Sequence, residues 1–82
     1  MQIKICGITT LREIEFVNEL KPDYIGLVFA ESKRKVNKEK AFELCNRLNK
    51  DIKTVAVFRN NSFEEITKVL EKIPVDILQL HG

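Results

Sequence analysis

Ile3 and Ile5 alternate with Gln2, Lys4 and Cys6, so a strand over Gln2 to Cys6 has one apolar face and one polar face that ends in a thiol. Gly7 marks the point where the backbone leaves it. The period then changes from two to that of a helix, with Leu11, Ile14, Val17 and Leu20 on one face. Thr10-Leu11-Arg12-Glu13 has capping-box form at its start, and Pro22 closes it by restricting the residue before it. Tyr24 to Phe29 is a nearly continuous apolar run of strand length, as expected of a parallel strand covered on both faces. A polar loop from Ala30 to Val36 follows, carrying Lys33, Arg34 and Lys35.

Asn37 is placed to cap a second helix with Ala41, Leu44, Cys45 and Leu48 on its inner stripe. Thr54 to Phe58 is the third strand. Ser62-Phe63-Glu64-Glu65 is another capping box, opening a helix whose apolar face is Phe63, Ile66, Val69, Leu70 and Ile73. Pro74 stops it, and Val75 to Leu80 is a fourth strand leading to His81-Gly82. The pattern is βαβαβαβ, an α/β fold with parallel strands and right-handed crossovers.

Two arrangements fit that order, a doubly wound sheet and a segment of an eight-stranded βα barrel. The first βα turn, Cys6-Gly7-Ile8-Thr9, lacks the GxGxxG spacing of a dinucleotide site, and the chain has no GxxxxGK. Polar or reactive groups after successive strands, Cys6, Arg34, Asn60 and His81, favour the barrel, whose sites gather at that face.

Composition narrows the function classes. The 82 residues make at most one small domain, and 44% hydrophobic with 32% charged residues is an ordinary globular balance. A net charge of +2, with the signs interspersed, gives no reason to expect nucleic acid or an anionic membrane as partner. No apolar run reaches the ~18 residues that span a bilayer, so the expected location is the cytoplasm. The two cysteines, Cys6 and Cys45, have neither CxxC nor histidine spacing, so reduced thiols are expected, with no zinc site or structural disulfide. Cys45, on the inner stripe of a helix, is expected to be inert core packing.

Four blocks taken together resemble phosphoribosylanthranilate isomerase of tryptophan biosynthesis: Lys4-Ile5-Cys6-Gly7-Ile8-Thr9; Asp23 to Phe29 with Ser32-Lys33-Arg34-Lys35-Val36; Val55 to Asn60; and Asp76 to Gly82. The resemblance implies a (βα)3β segment of a TIM (βα)8 barrel, with residues 1–82 as its N-terminal half, cut after the fourth strand. It implies an Amadori rearrangement of N-(5-phosphoribosyl)anthranilate to 1-(2-carboxyphenylamino)-1-deoxyribulose 5-phosphate, an aldose–ketose isomerisation of the intramolecular oxidoreductase type. No cofactor or metal is implied.

By that resemblance Cys6 is the general base, Arg34 pairs with the anthranilate carboxylate, and His81 belongs to the active-site wall. The general acid, on the fifth strand, and the phosphate site, on loops of the last two, are not in these 82 residues. A planar guanidinium suits a carboxylate better than Lys33 or Lys35 would. A thiol with an ordinary value of about 8.5 is mostly protonated at neutral pH, so the base role asks the site to favour thiolate, and Arg34 is the nearest candidate for that help.

Two residues stand apart. Lys4 faces inward and needs a partner that the sequence does not name. Arg59 stands where the family has an apolar residue, and is expected to point toward the helices or solvent and to be neutral for catalysis. Two competing readings are a stand-alone half-barrel binding or assembly module without catalysis and a flavodoxin-like signalling domain. The acidic strand-end cluster of the latter is missing. The isolated segment is expected to be inactive and to self-associate or to need the other half.

Overall fold

The computed structural model describes the backbone of residues 2–81 and the side chains of 2–80. Its elements run β1 (Lys4–Cys6), α1 (Leu11–Leu20), β2 (Tyr24–Val28), α2 (Lys38–Arg47), β3 (Lys53–Arg59), α3 (Phe63–Lys72) and β4 (Ile77–His81). Both capping boxes form as the sequence predicts. The hydroxyls of Thr10 and Ser62 accept the N–H of Glu13 and Glu65, whose carboxylates reach back to the cap N–H groups. Asn37 accepts the Lys40 N–H at 2.7 Å. α1 ends at Lys21 in a left-handed conformation (φ 55°), whose N–H donates to Val17 O, and Pro22 follows.

The four strands pair in parallel in the order β1-β2-β3-β4. That order decides between the two arrangements. A doubly wound sheet must reverse direction at some strand, whereas a barrel adds each new strand on the same side. The flavodoxin-like alternative falls with it.

Strand parity sorts the side chains into two layers. Ile5, Ile25, Leu27, Ala56 and Phe58 join Ile14, Val17, Ala41, Leu44, Val69 and Ile73 in one core under the helices. Phe29 and Phe58 stack there with centroids 5.3 Å apart. Lys4, Cys6, Gly26, Val28, Val55, Val57, Ile77 and Gln79 occupy the opposite, concave face. Across that face Lys4 Nζ donates to Gln79 Oε1 at 2.8 Å, joining the two edge strands and supplying the partner that Lys4 requires.

Several element ends differ from the sequence reading, for physical reasons. β1 starts at Lys4 and β4 at Ile77, and an aspartate hydrogen-bonds across to the facing strand just outside each ladder. Asp23 N–H donates to Ile3 O at 3.0 Å while its carboxylate takes the Ile3 N–H at 2.7 Å. Asp76 repeats the clamp on Thr54, donating its N–H at 3.0 Å and accepting at 2.8 Å. Phe63, expected on the inner stripe of α3, is 74% exposed at its first position. Leu20, Leu70 and the β4 residues Ile77, Leu78 and Leu80 are also exposed. Val55 and Val57 are buried on the concave face even so.

Candidate active site

Cys6 ends β1 on the concave face with its thiol exposed. The space around it is created by the neighbouring strand. Gly26 is the register partner of Cys6, and a Cβ placed on Gly26 would lie 2.7 Å from Cys6 Sγ. No side chain fits there while the thiol keeps its position. Gly26 O also accepts the N–H groups of Gly7 (3.0 Å) and Ile8 (3.3 Å), which pins the turn directly after the thiol. Gly7 itself has φ +84°, a region that favours glycine, and a Cβ there would come within 3.2 Å of Arg34 Cγ.

Arg34 therefore lies across the turn that follows Cys6. Its loop folds back onto the end of β2: Val28 bridges to Lys35, and Val36 N–H donates to Val28 O at 2.9 Å. Ser32 Oγ accepts the Arg34 N–H at 3.1 Å. The guanidinium Nη1 donates to Gly7 O and to Glu13 Oε2, both at 3.3 Å. The side chain remains 61% exposed, which leaves guanidinium surface open to solvent. The described contacts direct its charge to Gly7 and Glu13.

Glu13 is the hub of this corner. One of its oxygens accepts from the N–H groups of Thr9 (2.9 Å) and Thr10 (3.1 Å) and from both threonine hydroxyls, and the other faces Arg34. These donors, foremost the Thr9 N–H, hold its carboxyl below the usual glutamate range, although partial burial opposes them.

At the next strand end Asn60 adopts a left-handed conformation (φ 58°), which asparagine tolerates. Asn61 accepts the Arg59 N–H at 2.8 Å and donates to Phe29 O and Glu65. Phe58 is buried under the helices, so strand parity puts Arg59 on the concave side instead of the helix side. Arg59 is exposed at the rim, beside an open depression of about 490 Å³ that Glu31, Lys35 and Asn60 also border. The His81 backbone pairs with Arg59, while its side chain lies outside the described residues, as does Gly82.

The structure thus sets Arg34 against Gly7, the residue that follows Cys6 in the chain. The capping-box pattern gives Glu13 a capping role only, and Gly26 is masked by its apolar run, although a glycine inside a strand pattern signals close approach. Cys45 lies half-buried on α2, packed against the core, and desolvation pushes its thiol above the ordinary value. Among the described residues no group of three or more His, Cys, Asp or Glu could hold a metal ion. No helix among them is long and apolar enough to cross a membrane.

Parallel strands in sequence order under one helical layer, with a thiol, a guanidinium and amides at their C-terminal ends, define a sector of a βα barrel. A crystal structure of phosphoribosyl anthranilate isomerase in complex with reduced 1-(o-carboxyphenylamino)-1-deoxyribulose 5-phosphate superposes with a TM-score of 0.92 at 36% identity, covering 100% of this chain and 43% of that one. The phosphoribosyl anthranilate isomerase of Thermus thermophilus superposes with a TM-score of 0.90 at 34% identity, over 42% of its chain. N-(5'-phosphoribosyl)anthranilate isomerases of Clostridium beijerinckii and of a Thermoanaerobacter species are 51% and 48% identical over all 82 residues. Residues 3–82 match the family model of N-(5'-phosphoribosyl)anthranilate (PRA) isomerase, and the chain belongs to that family. It spans 36% and 40% of the length of those two relatives.

Proposed function

We propose that residues 1–82 are the base-bearing N-terminal sector of an isomerase barrel that converts N-(5-phosphoribosyl)anthranilate to 1-(2-carboxyphenylamino)-1-deoxyribulose 5-phosphate. The observation that carries this reading is the exposed Cys6 thiol at a strand end, in space that Gly26 leaves empty. After the furanose opens to the protonated imine, the Cys6 thiolate takes the proton from the sugar carbon next to it. The electron pair shifts toward nitrogen and gives the enolamine. Reprotonation at the former imine carbon and loss of the hydroxyl proton give the amino ketose. One carbon is reduced and its neighbour oxidised, so the electrons balance within the substrate.

Arg34, with open guanidinium surface beside the Gly7 turn, binds the anthranilate carboxylate. His81 belongs to the wall at the end of β4. The ring-opening acid and the phosphate site belong to later strands, so the 82-residue segment alone is inactive. The test is conversion of the substrate by the full-length protein and its Arg34→Ala variant. Binding of a carboxylate-bearing product analogue weakens by about 1.5 to 3 kcal/mol in the variant, the range for hydrogen bonds to charged groups. Equal affinity of the unmutated protein for analogues with and without the carboxylate contradicts the pairing.

A further inference from the structure

Arg34 is long, exposed and flanked by lysines, and such a side chain loses conformational freedom each time it meets an anion. Glu13 offsets that loss. Its carboxylate is fixed on one oxygen by four donors from Thr9 and Thr10, so the other oxygen is held in place and presented to Arg34 Nη1 at 3.3 Å. Gly7 O, also 3.3 Å from Nη1, gives the guanidinium a second anchor. The bare Gly7 Cα lets the Arg34 stem lie against the turn. A capping box needs only the contacts of Glu13 to the helix start, and the Arg34 contact is additional to them.

We infer that Glu13 is a positioning residue for substrate recognition, holding Arg34 over the turn after Cys6 so that its free guanidinium edge meets a ligand carboxylate pre-aligned. The inference rests on the proposed pairing of Arg34 with the substrate carboxylate. It adds a functional coupling between the start of α1 and the loop after β2, two segments that differ by 21 positions.

The test is a set of variants of the full-length enzyme. Glu13→Gln retains a capping-box acceptor but removes the charge that faces Arg34. The expected result is a KM raised roughly three- to five-fold, as fits an ion pair this exposed, with kcat little changed. Ser62→Ala weakens the cap of α3, which touches neither Glu13 nor Arg34, so it lowers Tm without moving KM. In an Arg34→Ala background Glu13→Gln has no further effect on KM. If Arg34→Ala itself leaves KM unchanged, the reading of Arg34 fails whatever Glu13 does. If Arg34→Ala raises KM, the positioning role is overturned by any of three results: an unchanged KM in Glu13→Gln, an undiminished Glu13→Gln effect without Arg34, or the same KM rise in Ser62→Ala.

Discussion

Gly26 is the residue whose replacement reports most directly on the thiol. Gly26→Ala puts a methyl where only 2.7 Å separates it from Cys6 Sγ, so the thiol or the strand has to move. Overpacking of this kind costs about 1 to 3 kcal/mol, and a displaced base lowers kcat more than it raises KM. A melting curve and steady-state kinetics on the full-length variant check both, and unaltered kcat would mean the thiol position is unimportant. The two cysteines are expected to separate by accessibility. An alkylating reagent on the native protein modifies exposed Cys6 first, while Cys45, half-buried and with its thiol shifted upward, reacts slowly. Equal labelling by mass spectrometry contradicts that assignment. The place of Cys6 at the end of β1 was legible from the alternation and from Gly7. Its empty neighbour was hidden, because Gly26 reads as part of an apolar run until the strands are in register.

At the scale of elements, local chemistry was easy to read and pairing was not. Thr10, Asn37 and Ser62 announce their helices because a cap is satisfied within a few residues. Strand starts depend on partners far along the chain, and Asp23 and Asp76 set them by clamping Ile3 and Thr54. Asp23→Ala or Asp76→Ala leaves a strand-start N–H without its carboxylate and should cost about 1 to 2 kcal/mol, measured by urea denaturation of the full-length protein. No loss for either would make the clamps incidental. Glu65 is held low chiefly by the Ser62 N–H, and Glu13 by the Thr9 N–H. A lowered carboxyl stabilises the fold above the ordinary glutamate range, and that contribution disappears as pH falls through the lowered values. Unmutated protein should therefore lose its Tm advantage over Glu13→Gln on acidification, and a constant difference down to acid pH contradicts the assignment.

For the whole molecule, the alternation of strands and helices was legible, but the sequence pattern left barrel and doubly wound sheet open. Strand order resolves them, and order is a property of long-range pairing. Arg59 illustrates the same limit: its face follows from Phe58 packing under the helices, which a local pattern does not reveal. Exposed apolar side chains collect at both edges, with Ile3 at 53% on one side and Ile77, Leu78 and Leu80 at 40%, 44% and 66% on the other. Edge strands carrying such side chains recruit other chains. We therefore expect the 82-residue segment to associate in solution, and light scattering after size exclusion decides it. Buried Val55 and Val57 and the Lys4–Gln79 bond work the other way, closing the concave face locally. A monodisperse monomer with a sharp melt would favour the self-sufficient half-barrel module.

For Cys6 as the general base, the decisive measurement is kcat of Cys6→Ala in the full-length enzyme, with product-analogue affinity determined on the same preparation. The expected result is a kcat lower by at least about 10²-fold while the analogue binds nearly as before, the mark of a lost proton-transfer group. Near-normal turnover by Cys6→Ala contradicts it.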